Sequence, residues 1–230
     1  MKGSSAGPRC LTQGCGRVAR RGYIGYGGYC ERCRRRWRAR GAVDQVRIRK
    51  QEVAKYVRRI QRLLKGGNLG RIETFLREQH SLLIECVTTL GAMKGVWGTQ
   101  RRERTVSEML RVLEAVDAVQ SGLTVAALFL MRDQEPYRFV SDQSFRFQLV
   151  RLWRSNTRLS FGSYYNERTD KTVSVYKQLP PRVTETIAAL LIDAYSRFAA
   201  YVIAAAAKAL AKRLALPQTL AEGFAPLLTD

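Results

Sequence analysis

The sequence predicts a mainly α-helical protein, in which a small N-terminal four-cysteine zinc module precedes a helical bundle domain with one β-hairpin insertion. Three observations predict this class. Four cysteines form two close pairs within the first 33 residues, apolar residues recur at helical spacing over most of the remaining chain, and a stretch near 159–178 has the composition of a β-hairpin. The 230 residues, 46% of them hydrophobic, can fill the core of one compact domain besides the small module. We therefore divide the chain into a zinc-binding module over 1–41, a basic linker helix over 42–65 and a helical domain over 66–230.

The cysteine pairs predict a metal site. Cys10, Cys15, Cys30 and Cys33 follow the pattern C-x4-C, fourteen residues, C-x2-C, and four thiolates in two close pairs can close a tetrahedron around one structural Zn²⁺. The intervening GRVARRGYIGYGGY is rich in glycine and tyrosine, which suits a tight hairpin. So short a segment has too few apolar residues to fold without help. An alternative is therefore that the metal only stabilises the fold of this module and that the module contacts no partner.

A disulfide knot is the alternative interpretation of the same cysteines. Disulfides require an oxidising compartment, and the start MKGSSAGPRC has no apolar core of the kind that a secretory signal requires. We therefore expect zinc and a cytoplasmic location. The fifth cysteine, Cys86, lies in the apolar stretch SLLIECVTTL and is expected to be a small buried hydrophobe.

Positive charge is concentrated near the N-terminus. Residues 1–65 hold 19 Lys and Arg against three acids, a net charge of +16, whereas the other 165 residues carry only +5 of the total of +21. Such a patch releases condensed counterions when it neutralises phosphates, and arginine binds phosphate with two parallel hydrogen bonds. Acidic proteins and anionic lipids would also be attracted, but a local arginine-rich patch favours DNA or RNA as the partner.

The residues expected to contact nucleic acid lie mainly in this basic region and in the turn of the hairpin. They are Arg17, Arg20, Arg21, Arg34, Arg35, Arg36, Trp37, Arg38, Arg40, Arg47, Arg49, Lys50, Arg58, Arg168 and Lys171. For Trp37 two roles stay open, because its ring can either pack on the zinc module or stack on a base.

Helical periodicity predicts the next three elements. The first covers 42–65 and ends at the GGN of 66–68, and the second covers 71–92, followed by a glycine-broken loop over 91–98. The third begins near Thr105 and reaches about Met131, although the interior Gly122 weakens its second half. The apolar faces of the first two helices consist of Val46, Val53, Val57, Ile60 and Leu64, and of Ile72, Phe75, Leu76, Leu82, Leu83 and Cys86.

The last elements are a capped helix, the hairpin and a long helix. Ser141 and Asp142 are typical caps for a basic amphipathic helix over 141–158. In FGSYYNERTDKTVSVYKQ, aromatic and β-branched residues flank a polar turn, which predicts a hairpin that either packs on the helices or projects to insert beside bases. A helix from about Val183 to Ala215 follows, and we expect it in a bundle core rather than a membrane, because three charged residues interrupt its apolar stretch.

The residues offer little for catalysis. His80 is the only histidine, and we expect it to be partly buried or on the surface, because a His-based nuclease needs further ligands and a base. GAMKGVWGT lacks the ending of a phosphate-binding P-loop, and the acidic pairs lie in loops or turns. We therefore do not predict an enzyme.

Around the cysteines the chain resembles treble-clef and zinc-ribbon modules. In a treble clef a knuckle supplies two ligands, a hairpin follows, and the last two ligands lie at the start of a helix. The resemblance assigns Cys10 and Cys15 to the knuckle, and the segment GYCERCRRRWR to a helix that begins with Cys30 and Cys33.

The whole layout is similar to the Cas8-like large subunit of type IV CRISPR effector complexes. This resemblance implies a non-catalytic subunit that contacts guide RNA and other protein subunits, reads a short motif in duplex DNA and helps to open it, without a membrane partner. A free-standing DNA-binding regulator or mobile-element accessory protein is the competing class. A structural protein of the ribosome or of another ribonucleoprotein is the third.

Overall fold

The structure is a computed structural model that describes residues 8–19, 28–65, 69–93, 98–157, 159, 162–168, 170–175 and 178–224. It confirms the predicted class, since these residues are mostly helical and the four N-terminal cysteines cluster. The elements are α1 (Glu31–Arg40), α2 (Lys50–Leu64), α3 (Leu69–Ala92), α4 (Thr99–Ala115), α5 (Ala118–Gln134), a 3₁₀ turn (Pro136–Arg138), α6 (Asp142–Arg154), β1 (Gly162–Asn166), β2 (Lys171–Val175) and α7 (Pro181–Phe224).

Helix α5 is the centre of the bundle, because α2, α3, α6 and α7 all pack against it. Its residues from 121 to 128 are all buried. Several polar groups inside this core have hydrogen-bond partners, as expected for buried donors. Trp153 Nε1 donates to Ser121 Oγ at 2.7 Å, and the buried His80 lies 3.0 Å from the carbonyl oxygen of Leu113 and 3.4 Å from the hydroxyl of Tyr195. The lone histidine is thus part of a core hydrogen-bond network.

Helix α2 begins eight residues later than predicted. Gly41 ends α1 in the left-handed conformation, with φ of 80°, and 41–49 form a bend and an extended segment. The buried Gln45 holds this segment, since its Nε2 donates to the carbonyl oxygen of Arg138 at 2.9 Å and its Oε1 accepts from the N–H of Val140 at 3.1 Å. A helical prediction over 42–49 was therefore wrong, and Val46, assigned to the apolar face, is 71% exposed.

The rest of α2 is part of the bundle. Val53, Ile60 and Leu64 are buried in the same core as α5. The segment predicted as a linker therefore packs its apolar face on the helical domain and leaves its basic face outside.

The third predicted helix is two helices. α4 and α5 meet at a bend of 112° near Val116, and the side chain of Asp117 accepts from the N–H of Gln120 at 2.8 Å, which caps α5. The capping carboxylate satisfies a backbone donor that a continuous helix would have paired internally.

Two residues that were predicted for the apolar face of α3 lie outside it. The buried stripe of α3 runs through Leu76, His80, Leu83 and Val87, at helical spacings of four, three and four residues. Leu82 and Cys86 fall outside this stripe and are exposed. The prediction of a buried Cys86 was therefore wrong.

The C-terminal part follows the prediction closely. Ser141 caps α6 by accepting from the N–H of Ser144 at 3.1 Å, and β1 pairs antiparallel with β2 in the register Asn166↔Lys171. The hairpin strands pair mainly with each other, and Tyr165 is 59% exposed. Phe161, Tyr176 and Arg158 lie outside the described residues.

Helix α7 is longer than predicted and is the one described helix whose length and composition would allow it to cross a membrane. The stretch that meets this test is Pro181–Lys212. Ile187, Leu191 and Tyr195 on this helix are fully buried against the rest of the bundle, as in the core helix of a globular domain.

Candidate metal centre and basic groove

The first cysteine pair lies in a tight turn of the backbone. Arg9 and Val18 form an isolated antiparallel bridge, and inside it the N–H of Cys10 donates to the carbonyl oxygen of Arg17 at 2.7 Å. Gly14 and Gly16 beside Cys15 both have positive φ, 72° and 61°, which glycine adopts without strain. The local sequence therefore brings Cys10 and Cys15 together, as a knuckle requires.

The second pair lies at the start of α1. Cys30 is the N-cap residue and Cys33 lies in the first turn, where the N–H of Arg34 donates to the carbonyl oxygen of Cys30 at 2.9 Å. The positive end of the helix dipole stabilises negative charge at this position, which favours thiolates. A hydrogen bond of 2.7 Å from the N–H of Leu11 to the carbonyl oxygen of Gly28 joins the two halves of the module. Most of the connecting segment, 20–27, where a hairpin was predicted, lies outside the described residues.

The four sulfur atoms form one cluster. All Sγ atoms lie within 4.8 Å of one another, with Cys15 Sγ at 3.6 Å from Cys30 Sγ and at 3.5 Å from Cys33 Sγ. All four are free thiols, and Cys10, Cys30 and Cys33 are buried. This arrangement can hold a metal ion, and the disulfide alternative is not realised.

Hydrogen bonds shift the acidity of the cluster. Burial disfavours the thiolate of Cys10, yet Thr12 and the N–H of Cys30, 3.3 Å from Cys10 Sγ, together lower its pKa to about 6. The pKa of Cys30 is also lowered, by the backbone N–H of Cys33 foremost, whereas burial raises the pKa of Cys33 to about 12. The cluster therefore combines two thiols that ionise more readily than usual with one that resists ionisation, and a bound cation would favour the thiolate form of all the cysteines that contact it.

Helix α1 is fixed against α6. The rings of Trp37 and Phe147 meet edge to face with centroids 6.2 Å apart, so the half-buried Trp37 packs on α6. At the end of α1, a Cβ on Gly41 would lie 2.7 Å from the carbonyl oxygen of Gln143 and 2.9 Å from Cα of Ser144. The backbones therefore touch, and the cysteine module has a defined position on the bundle.

A basic groove of about 780 Å³ opens beside this contact, between α1, the 41–49 segment, the start of α2 and α6. Six cations line it, together with the single carboxylate of Asp44: Arg36, Arg40, Arg47, Arg49, Lys50 and Arg151. Among the described residues, none of the six forms an ion pair with a carboxylate. The groove therefore holds an excess of positive charge, which Asp44 and the nearby Glu52 offset only in part.

The groove cations repel one another. Burial, and then the charges of Arg47 and Arg40, lower the pKa of Arg151 to about 10. The pKa of Arg40 is also lowered, by burial and by Arg36 and Arg47. Arg151 keeps its position by donating to the carbonyl oxygen of Ile48 and, at 2.7 Å, to Gln148 Oε1. These neutral acceptors orient the guanidinium without cancelling its charge.

Sequence reasoning did not include Arg151 in the site. It lies on α6, about a hundred residues from the other groove residues, and only the basic character of the 141–158 helix pointed to it.

The other predicted contact residues are spread around the module. Arg34 and Arg35 both pair with Glu31, Arg35 at 3.0 Å, so a carboxylate already neutralises part of their charge. Arg17 and Arg38 are exposed, Arg58 is exposed on α2, and Arg168 is exposed in the hairpin turn. Arg20 and Arg21 lie outside the described residues, as does the side chain of Lys171. The structure thus brings five predicted residues together in the groove: Arg36, Arg40, Arg47, Arg49 and Lys50.

Comparisons of the whole chain with protein-family models, with curated proteins and with solved structures find no match.

Proposed function

We propose that the protein is a non-catalytic, zinc-containing nucleic-acid-binding subunit whose basic groove binds the phosphate backbone. The observation that carries this proposal is the convergence of six cations without an ion-pair partner in one groove beside the cysteine cluster. A polyanion supplies the missing negative charge and releases condensed counterions on binding. This role needs no reacting group, only positioned cations.

Zinc fits the cysteine cluster in donor type and in size. Four thiolates are the donor set of structural zinc sites, and Zn–S bonds of about 2.3 Å give a tetrahedron with edges of about 3.8 Å. Two Sγ–Sγ distances in the cluster, 3.5 and 3.6 Å, are slightly shorter than this edge, and all the others are at most 4.8 Å. Ligands this close favour one ion over an iron–sulfur cluster, whose ligands bind different iron atoms.

The metal and the groove act together in this proposal. The ion would hold the N-terminus of α1 on the knuckle, while Trp37 and Gly41 hold its other end on α6. Arg36 and Arg40, which lie on α1, are then fixed opposite Arg47 and Arg151. Preorganised cations bind phosphate with less loss of side-chain freedom than mobile ones.

The test compares two triple variants that remove the same charge. Arg36→Ala/Arg47→Ala/Arg49→Ala changes the groove, and Arg77→Ala/Arg104→Ala/Arg197→Ala removes three exposed arginines from α3, α4 and α7. We expect the groove variant to bind DNA and RNA more weakly at every sequence, with a slope of log K against log salt that is lower by about 0.9 for each lost phosphate contact. The control should keep most of both. Equal losses in the two variants would contradict a localised site and indicate general charge attraction.

More specifically, we propose that the chain is a subunit of a cytoplasmic CRISPR-type RNA-guided ribonucleoprotein. In this complex it would bind guide RNA and other protein subunits, and it would read and open the target duplex DNA. The resemblance of the layout to Cas8-like subunits supports this form, and the division of labour between protein and guide fits a backbone-binding groove. The alternatives are a free-standing DNA-binding regulator or mobile-element accessory protein, and a structural protein of a ribosome or other ribonucleoprotein.

Sequencing of the nucleic acid that copurifies with the native protein separates these classes. Short RNAs with a repeated flank, together with protein subunits, would support the effector subunit. A defined DNA site bound by the protein alone would indicate a regulator, and ribosomal RNA would indicate a ribosomal protein.

A further inference from the structure

The basic groove continues along α2. A second hollow of about 390 Å³ shares Lys50 and Leu152 with the groove, and a third of about 680 Å³ shares Arg58 and Gln61 with the second. Shared lining residues make the three hollows neighbours along one helix face. The third adds the cations Lys55, Arg62 and Lys65 from α2, together with the carboxylate of Glu73 from α3.

Helical spacing explains this alignment. Lys50, Arg58 and Arg62 are eight and four residues apart, which places them on one side of α2. The apolar residues Val53, Ile60 and Leu64 are buried in the bundle, and Val53 and Leu64 also line the second and third hollows. From Lys50 to Arg62 the track is about 18 Å long, which is enough to contact several consecutive phosphates of one strand. Arg58 and Arg62 form no ion pair with a described carboxylate.

The lining of the track indicates what kind of strand it takes. None of the described residues that line the three hollows is aromatic. Proteins that bind single strands combine a basic groove with aromatic side chains on which unpaired bases stack. Trp37, the tryptophan nearest in sequence to the groove residues, packs on Phe147 instead. The middle hollow carries neutral amides, Gln51, Gln120 and Asn156, of the type that contacts phosphate and sugar without reading bases.

We propose that the face of α2 from Lys50 to Arg62 extends the basic groove into a continuous track for the sugar–phosphate backbone of a double helix. This inference rests on the proposed function and adds its ligand class: paired rather than single-stranded nucleic acid. The double helix presents its backbone outward and keeps its bases stacked internally, so a track without aromatic platforms matches it. The exposed face of α2 then lies along one strand of the double helix, and the zinc module lies at one end of this interface.

The experiment measures binding of three labelled probes by fluorescence anisotropy between 50 and 300 mM KCl. The probes are a 20-bp DNA duplex, a 20-bp RNA duplex and a 20-nucleotide thymidine strand. The track variant is Lys55→Ala/Arg58→Ala/Arg62→Ala, which leaves Lys50 and the groove unchanged. The groove variant and the control triple described above are measured beside it. Circular dichroism checks that each variant keeps the helical content of the wild type.

We expect the wild type to bind at least one duplex about tenfold or more tighter than the thymidine strand. Each phosphate contact contributes about eightfold at 0.1 M salt through counterion release. The track variant should therefore bind that duplex about 100-fold more weakly if two to three contacts are lost, while its affinity for the thymidine strand changes little. The preferred duplex identifies DNA or RNA as the source of the backbone.

The failures of the two proposals are distinguishable. If the groove variant loses affinity but the track variant does not, or if the thymidine strand binds as tightly as both duplexes, the track is wrong and the proposed function stands. If neither variant differs from the control triple, the proposed function itself is wrong.

Discussion

Replacing Gly41 by alanine tests whether the position of the cysteine module on the bundle matters for binding. Gly41 has φ of 80°, and an alanine Cβ there would lie 2.7 Å from the carbonyl oxygen of Gln143, 2.8 Å from its carbonyl carbon and 2.9 Å from Cα of Ser144. The left-handed conformation costs an alanine about 1–2 kcal/mol. Overpacking against backbone atoms, which cannot rotate away as a side chain can, costs about 1–3 kcal/mol.

The two contributions add to about 2–5 kcal/mol against the docked state. We expect Gly41→Ala to undock α1 from α6, which separates Arg36 and Arg40 from Arg47 and Arg151. The assay combines urea unfolding with the affinity for a DNA duplex. Undocking should lower both, and it should quicken proteolysis after Arg38 and Arg40.

Two further glycine variants separate the causes. Gly41→Asn relieves much of the backbone cost, because asparagine tolerates the left-handed region, but it keeps the Cβ clash. Gly70→Ala adds a Cβ where no atom lies within 4 Å, so it should not destabilise the protein. If Gly41→Ala unfolds and binds like Gly70→Ala, the close contact between Gly41 and α6 does not hold the module, and the reasoning fails.

Two other predictions concern the metal and the acid dependence of folding. Cys30→Ser should reduce bound zinc from one equivalent per chain to less than half and unfold residues 1–40, while the helical domain still melts cooperatively. Metal analysis checks this, and Cys86→Ser, which changes an exposed cysteine outside the cluster, is the control that should keep its zinc. A full equivalent of zinc in Cys30→Ser would refute the site. Burial raises the pKa of Glu52, but the N–H of Arg49 at 2.6 Å and the guanidinium of Arg138 outweigh it, so the folded pKa lies below the unfolded one. Its stabilisation is therefore present above the unfolded pKa and disappears as pH falls through the folded pKa. Glu52→Gln should be less stable than the wild type at pH 7 and approach it in urea titrations toward pH 3; a gap that is constant with pH would contradict this.

Local sequence rules were sufficient for the cysteine module and for most helices. The C-x4-C and C-x2-C spacings fix how the backbone must turn around each pair, and the structure places Cys30 and Cys33 at the start of α1 as the resemblance to treble clefs implied. Amphipathic spacing likewise located α2, α3, α6 and α7, since burial of an apolar stripe is what stabilises a helix in a bundle.

The errors arise where a distant residue decides the local structure. The segment 42–49 has helical spacing, but the side chain of Gln45 bonds to the backbone of Arg138 and Val140, more than ninety residues away. No local pattern contains that information. Gly122 was interpreted only as a weak point of a helix, whereas a Cβ there would lie 2.4 Å from Leu76 Cδ2. That glycine lets α3 approach α5 closely.

The basic groove also depends on contacts between residues that are distant in sequence. The local charge excess identified Arg36, Arg40, Arg47, Arg49 and Lys50, but charge density does not say which cations are already neutralised. In the structure Glu31 pairs with two arginines of α1, and Glu52 pairs with Arg138 rather than with a groove cation. The remaining cations then converge because α1 packs on α6.

The positions of the acidic residues indicate that the charge of the groove is not explained by the basic composition of the sequence alone. Asp44 is the one carboxylate among the described residues that line the groove. Glu31 and Glu52, which are close to the groove in sequence, form ion pairs with Arg34, Arg35 and Arg138, and the buried Glu108 contacts Arg111 and Arg154. Gathering six cations around the single carboxylate of Asp44 opposes folding, and burial together with the charges of Arg47 and Arg40 lowers the pKa of Arg151. The fold maintains this arrangement through the cysteine cluster, the contact at Gly41 and neutral acceptors for Arg151. Under the proposed function, a bound polyanion would remove the repulsion between these cations, and this would favour the arrangement that the contacts maintain.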